Sequence, residues 1–238
     1  MHVHRNAALL KNRLQLSVVF FVASLICLMG GFLVSNRLDD LSTQYAVSLS
    51  TLGIGMILWW QNKSYLNRWG PKSQKDADIA KALRGLDSRY HLFAFPSAKL
   101  PDYLLVGPTG VVVLIPRAIT GTVSCKDDRW THDEGKSLLV KSLLVMSPRP
   151  ALGNPTAEAA RGIADVKRLL SSRLGTELAE RVPVEGAVVL MEPNVKLTVH
   201  GCTTPSLYLR SLRGHVRRGA RALQNAEIEQ IAAAVEAD

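Results

Sequence analysis

Cysteines and aromatic residues are scarce in this sequence, and the short motifs of several large enzyme classes are missing from it. Its three cysteines form no Cys-x-x-Cys pair and no Cys/His cluster, so a structural zinc site is not expected. They are also too few and too scattered for a disulfide framework, and we interpret them as reduced thiols. Because no dinucleotide-binding glycine motif, Walker loop or Gly-x-Ser-x-Gly sequence occurs, those enzyme classes have no support.

Charged residues are absent from two long stretches near the N-terminus, residues 14–35 and 41–60. A helix needs about 20 mostly apolar residues to cross a bilayer, and each stretch supplies them. The second ends with Trp59 and Trp60, which is typical of an interfacial aromatic anchor. A signal peptide is the rival interpretation of the first stretch, although the run is long and no clear cleavage site ends it. Together the stretches predict a transmembrane helical hairpin over residues 14–60.

Positive charge dominates the segments on both sides of the predicted hairpin, and the whole chain carries a net charge of +9. The positive-inside rule therefore predicts that both ends of the hairpin lie in the cytoplasm. On this interpretation residues 1–13 are a cytoplasmic segment, residues 61–75 a basic juxtamembrane linker, and residues 76–238 a cytoplasmic domain. The expected location is the cell (inner) membrane, as a multi-pass protein.

The most distinctive stretch of the predicted domain is residues 101–117, in which two apolar, β-branched runs flank Gly-Pro-Thr-Gly. This pattern predicts a β-hairpin with Pro and Gly in its turn. Both runs are almost unbroken, so both faces of the sheet should be covered. Asp102 opens the first strand and Arg117 ends the second. Since these ends are neighbours in an antiparallel hairpin, we expect the two side chains to form an ion pair.

This stretch resembles the hairpin of the nuclease-related domain (NERD) family, in which an Asp starts the first strand and Glu-x-Lys ends the second. The residues that match the family's motif are Asp102, Gly107, Pro108, Gly110 and Gly121. Two positions differ, because Ile115 replaces the Glu and Arg117 replaces the Lys. The resemblance covers about residues 76–199.

The resemblance implies an α/β fold: a restriction-endonuclease-like domain with a central mixed sheet flanked by helices, placed after the two-helix transmembrane hairpin. An Asn-Pro helix start at Asn154 adds support, although Glu158 replaces the family's Gln. Trp130 is interpreted as a packing anchor. Sequence patterns predict helices over 76–86, 154–174 and twice within 207–235, and strands over 90–95, 119–125, 137–146, 184–191 and 196–199.

The chemistry that the family resemblance implies requires two carboxylates on Mg²⁺, which prefers oxygen ligands, and a lysine on the same face of the strand. Asp102 survives here, but Ile115 cannot bind a cation. Arg117 keeps a positive charge without being able to act as a base. We therefore expect Asp102 and Arg117 to be the remnant of a catalytic site, in a degenerate domain that needs no cofactor.

An active nuclease with a rearranged site is the alternative. Its magnesium would be held by Asp76 and Asp102, with Glu158 or Glu192 as further carboxylates. Asp76 has a second interpretation, because an acidic residue in the first turn of a helix is favourable to the helix dipole whether or not it binds metal.

Arginines crowd the C-terminal region at Arg210, Arg213, Arg217, Arg218 and Arg221. Residues 210, 213 and 217 would share one face of a helix. Such a cluster fits the phosphates of nucleic acid or an acidic lipid surface, and it is also the ordinary composition of a solvated face. The sequence thus leaves three functions: a degenerate domain that binds nucleic acid or a protein partner at the membrane, an active nuclease, and a structural membrane-assembly protein.

Overall fold

The computed structural model describes residues 1–71, 74–133 and 152–237, and it divides into two compact units. One unit comprises residues 7–74. The other combines Met1–Asn6 with Lys75–Asp238. The strand predicted over 137–146 lies outside the described residues.

The first unit is a pair of helices, α1 (Ala7–Ser35) and α2 (Leu41–Trp69), that are long and apolar enough to cross a membrane. Most of their large apolar side chains point outward and are exposed. Between the helices, the Ser17 hydroxyl contacts the Asn62 amide oxygen at 2.6 Å. Residues 61–69 of the segment predicted as a basic juxtamembrane linker are helical, because α2 continues to Trp69 and these nine residues include neither Gly nor Pro.

The second unit is built on a mixed six-stranded sheet with helices packed against it, as the predicted α/β class requires. The strand order is β1-β2-β3-β4-β7-β9, with antiparallel pairing from β2 to β4 and parallel pairing of β1 with β2 and of β4, β7 and β9. The strands are β1 (His2–Arg5), β2 (His91–Ala94), β3 (Tyr103–Gly107), β4 (Gly110–Arg117), β7 (Val184–Leu190) and β9 (Ser206–Tyr208).

The predicted hairpin lies at the centre of this sheet as β3 and β4. Leu104 is paired with Val113, and Gly107 with Gly110, so that Pro108 and Thr109 alone form the turn. Gly110 has a φ of +120°. A Cβ atom at this position would lie 2.4 Å from the Pro183 carbonyl oxygen, which explains why the turn needs glycine here.

Both faces of the hairpin are covered, as predicted. Val111, Val113 and Ile115 of β4 belong to a hydrophobic core with α4 (Pro155–Leu174) and α7 (Asn225–Glu236). The alternating residues Val112 and Leu114 are buried as well. The start of α4 follows the predicted rule: the Asn154 side chain caps the helix by accepting the Ala157 N–H at 3.1 Å, with Pro155 in the first turn.

The remaining helices connect and flank the strands. α3 (Asp76–Ala82) confirms the helix predicted after residue 76, in a shorter form. The two helices predicted near the C-terminus are α6 and α7, and they follow a strand, β9, that the sequence pattern did not predict. The other helices are α5 (Thr176–Arg181), α6 (Leu212–Arg218) and a 3-10 turn at Leu209–Ser211.

A second, three-stranded sheet consists of β5 (Thr122–Lys126), β6 (Arg129–Asp133) and β8 (Lys196–His200) in the order β6-β5-β8. The strand predicted over 119–125 therefore belongs to this smaller sheet. Cys125 of β5 forms a disulfide with Cys202, so the prediction of reduced thiols was wrong for this pair. The two cysteines are 77 residues apart in the sequence, and it is the parallel pairing of β5 with β8 that brings them together, so the sequence alone did not predict the bond.

Candidate functional site

The residues of the predicted remnant site lie together at one edge of the six-stranded sheet, the edge formed by the start of β3 and the end of β4. Arg117 ends β4, and its carbonyl oxygen accepts the N–H of Met191, which immediately follows β7 and precedes Glu192. The β3–β4 register, continued by two residues, places Asp102 opposite Ile115. Asp102, Ile115 and Arg117 therefore occupy one face of the hairpin, which is the arrangement that the motif predicts.

The ion pair at this edge differs from the prediction. The Arg117 guanidinium contacts the Glu158 carboxylate at 2.5 Å and donates through Nε to the Leu152 carbonyl oxygen at 3.1 Å. The expected pairing of Arg117 with Asp102 was wrong. The first turn of α4 packs over the end of β4 and presents Glu158 on the same face, and no local sequence rule gives that placement.

Ile115 lies in the hydrophobic core, with 8% of its surface exposed. An acidic residue at this position would have to enter an apolar cluster that contains Val113 and Val166. Burial of an uncompensated carboxylate is costly, so the surroundings of Ile115 are adapted to an apolar side chain and not to a metal ligand.

The proposed second carboxylate, Asp76, lies in the first turn of α3 and pairs with Arg5 of β1 at 3.2 Å. Nearby, the hydroxyl of Tyr103 accepts the Lys75 N–H at 2.7 Å. Burial, reinforced by the negative charges of Asp76 and Asp102, raises the pKa of Tyr103 well above its usual range. Asp76 and Asp102 thus both lie close enough to influence the Tyr103 ring, and an arginine occupies the cationic position beside Asp76.

This environment of Tyr103 predicts alkaline instability. In the unfolded chain tyrosine ionises near pH 10, whereas the folded protein holds Tyr103 neutral to higher pH. Above about pH 10 the unfolded state therefore binds fewer protons than the folded state, and stability falls by up to about 1.4 kcal/mol per pH unit. Hydrogen exchange of the β3 amides between pH 8.5 and 11 should report this loss. The Tyr103→Phe variant should lose about 1 kcal/mol at neutral pH but show a shallower alkaline decline. Equal declines in both proteins would contradict the assignment.

The five predicted arginines are exposed. Arg210 lies toward the Arg117 end of the strands, because Leu190 of β7 is paired both with Arg117 and with Tyr208. The segment that carries the arginines contacts the β3–β4 turn, because the N–H groups of Ala222 and Leu223 both donate to the Pro108 carbonyl oxygen. The turn and Arg117 are at opposite ends of β4, which has eight residues and spans about 23 Å. We call Arg210, Arg213, Arg217, Arg218 and Arg221 the arginine surface.

The predicted single helical face of Arg210, Arg213 and Arg217 is not formed, because only Arg213 and Arg217 lie in α6. Arg210 lies in the 3-10 turn before α6, with its guanidinium 5.2 Å from the centre of the Tyr208 ring. Arg213 donates to the Arg84 carbonyl oxygen at 2.8 Å. Arg217 and Arg221 lie close enough to Tyr90 to influence its ionisation, and the pKa of Tyr90 is raised chiefly by burial. The surface therefore extends beyond one helix.

The fold also brings together two groups of residues that the sequence patterns did not predict. The first surrounds the disulfide: the Asp128 carboxylate lies within 4.8 Å of both sulfurs and accepts the Thr203 N–H at 2.9 Å. Because the two sulfurs are bonded to each other, we regard this group as structural. The second is a set of histidines, His2, His4 and His91. The alternation His2-Val3-His4 is a period-two signal for a strand, but it fell in a segment interpreted as a flank of the membrane hairpin.

Comparisons of the chain with protein-family models, with curated proteins and with solved structures gave no match. The resemblance to the NERD family therefore depends on the hairpin motif and the Asn-Pro helix start alone.

Proposed function

We propose that this chain is a membrane-anchored NERD-like protein whose catalytic site has degenerated and which binds nucleic acid through the arginine surface. The proposal rests on the two residues, Ile115 and Arg117, that stand where the family motif has Glu and Lys. Ile115 is part of the core, and Arg117 is committed to Glu158 and to the Leu152 carbonyl oxygen. A magnesium ion needs several oxygen ligands, and here two of the candidate carboxylates, Glu158 and Asp76, are neutralised by arginines.

The position of Arg217, Arg218 and Arg221, close to the β3–β4 turn, supports binding without cleavage. Nucleic acid held by these arginines would lie about 23 Å along β4 from Arg117, and about 16 Å from Asp102, which is opposite Ile115. Its phosphates would attract the exposed guanidinium groups through long-range electrostatics and release of counterions. A nuclease needs its phosphate contacts next to its metal ligands, and these three arginines do not provide that.

Membrane anchoring through a helical hairpin is supported by where the chain enters and leaves the two helices. Arg5 precedes α1 and Asp76 follows α2, and their side chains form an ion pair within one unit. Both ends of the hairpin therefore belong on the same side of the membrane, as two crossings require. The excess of Lys and Arg in the flanking segments favours the cytoplasmic side at the inner membrane.

The proposal predicts salt-dependent binding of nucleic acid by the full chain in detergent or nanodiscs, without cleavage in Mg²⁺ or Mn²⁺. Replacing Arg213, Arg217 and Arg221 together by Gln should weaken binding to duplex DNA. It should also lower the slope of log K against log salt by up to about 2.7, because each lost phosphate contact removes about 0.9. Fluorescence anisotropy across a salt series measures both quantities.

A matched control exists on α4, where Arg161, Lys167 and Arg168 are exposed and remove the same charge when replaced by Gln. This variant should retain the wild-type slope. Metal-dependent cleavage that disappears in Asp102→Ala would contradict the proposal and establish the rearranged nuclease. Binding to vesicles of anionic lipid, with none to nucleic acid, would assign the arginine surface to the membrane instead. Binding to neither would favour a structural or protein-binding role.

A further inference from the structure

Three histidines face one another at the outer edge of the six-stranded sheet. His2 of β1 is paired directly with His91 of β2, and the period of two along the strand places His4 on the same face as His2. The His2 and His91 rings stack with their centroids 5.1 Å apart, and those of His4 and His91 are 5.4 Å apart. The proposed nucleic-acid function uses none of these residues.

The nitrogen atoms of this cluster are arranged in two layers. On the inside, His4 Nε2 and His91 Nδ1 are 3.2 Å apart. On the outside, each of these rings has a glutamate from α7 opposite its other nitrogen: His4 Nδ1 is 3.5 Å from Glu236, and His91 Nε2 is 3.5 Å from Glu229. His91 is 5% exposed, and among the described residues nothing forms a hydrogen bond with its buried Nε2.

The spacing of the two inner nitrogens is close to that of two ligands on one transition-metal ion. Two imidazole nitrogens on one tetrahedral ion, with bonds of about 2.0–2.1 Å, are about 3.3–3.4 Å apart. Histidine ligands of metals usually donate their other ring N–H to a carboxylate, which orients the ring and increases its basicity. The inner nitrogens match the first requirement. The two glutamates lie where the second requirement places them, within a small movement of hydrogen-bonding distance.

We propose that His4 and His91 bind a divalent transition ion of the class that prefers imidazole, such as zinc, through His4 Nε2 and His91 Nδ1, with Glu229 and Glu236 orienting the rings and water completing the coordination. Imidazole favours zinc, copper and nickel over magnesium and calcium. The site is independent of the proposed nucleic-acid function.

Bound metal would fasten β1 to the rest of the sheet. β1 is an edge strand of four residues, and its sheet partner is β2. An ion shared by His4 and His91 adds a link between two strands whose ligands are 87 residues apart in sequence. Metal occupancy should therefore be visible as slower hydrogen exchange in residues 2–5, in addition to the binding signal itself.

The test is titration of the full chain, oxidised and without a polyhistidine tag, with Co²⁺ and Zn²⁺. We expect one equivalent of Co²⁺ to give the visible absorption of a tetrahedral site, and Zn²⁺ to displace it. His4→Gln should weaken binding at least tenfold, and Glu229→Gln or Glu236→Gln about 10- to 100-fold. His200→Gln, which changes an exposed histidine outside the cluster, should leave binding unchanged.

His4 is partly exposed, so His4→Gln is the primary variant. His91 is buried, and His91→Gln is informative only where hydrogen exchange of β3 shows that the sheet is intact. Absence of the cobalt spectrum would overturn the proposal. The contact between the two rings would then be a hydrogen bond in which they share a proton. Binding that persists unchanged in His4→Gln, or that is lost in Cys202→Ser, would overturn the proposal as well, the latter in favour of the group around Cys125 and Asp128.

Discussion

Replacing Gly110 by alanine is expected to destabilise the sheet unit by about 2–5 kcal/mol. The φ of +120° at this residue lies in a region that side chains with a Cβ rarely adopt. The new methyl group would also meet the Pro183 carbonyl oxygen at 2.4 Å, and this backbone atom cannot move away without disturbing β7, which begins at the next residue. Hydrogen exchange of the β3 and β4 amides in the full chain would measure the loss.

Gly214→Ala is the matched control for this substitution. Gly214 lies within α6, and a Cβ built there meets no atom within 4 Å. Alanine has the higher helix propensity, so this variant should be neutral or more stable by up to about 1 kcal/mol. If Gly110→Ala and Gly214→Ala have equal stabilities, the hairpin turn does not have the conformation described here.

The second large effect concerns the disulfide. Cys202→Ser, or reduction of the wild-type protein, should cost about 2–4 kcal/mol, because the Cys125–Cys202 bond closes a loop whose ends are 77 residues apart and so restricts the unfolded chain. The loss should appear as faster exchange in β5 and β8, and Cys27→Ser should have no comparable effect on these strands. Equal stability of the oxidised and reduced proteins would contradict this prediction.

The same pair of cysteines also tests the proposed location. In the reducing cytoplasm the two residues should be held as adjacent thiols that form the bond only on oxidation. Alkylation of intact cells, before and after treatment with a membrane-permeant reductant, distinguishes the two forms. A pair that is fully oxidised in growing cells would place the domain on the oxidising side of the membrane and contradict the assignment made from positive charge.

Local patterns predicted most of the secondary structure. The hairpin, the Asn154 cap and the two apolar helices follow from residues that are close in sequence, and the structure has them where the patterns placed them. The failures share a cause, which is pairing between residues far apart in the chain. β1 has four residues and β9 has three, too few for a clear apolar pattern, and each is held by a strand that is not its neighbour along the chain.

The site shows the same division. The period of two placed Asp102, Ile115 and Arg117 on one face, but it did not indicate which acid would meet Arg117. That choice is made by the packing of α4 over β4, which brings Glu158 to the guanidinium. The Cys125–Cys202 bond and the histidine cluster likewise depend on strand neighbours that the order of residues alone does not reveal.

The position of β1 has a consequence for how the protein is made. His4 is translated before α1, and its neighbour His91 follows 87 residues later, after both apolar helices have been synthesised. In the proposed membrane topology, β1 can join β2 only if the two helices have returned the chain to the compartment from which it started. A chain inserted with a single crossing would leave the outer edge of β2 with unpaired N–H and C=O groups, which promote aggregation. In that topology, closure of this edge would distinguish a chain inserted with two crossings from one inserted with a single crossing.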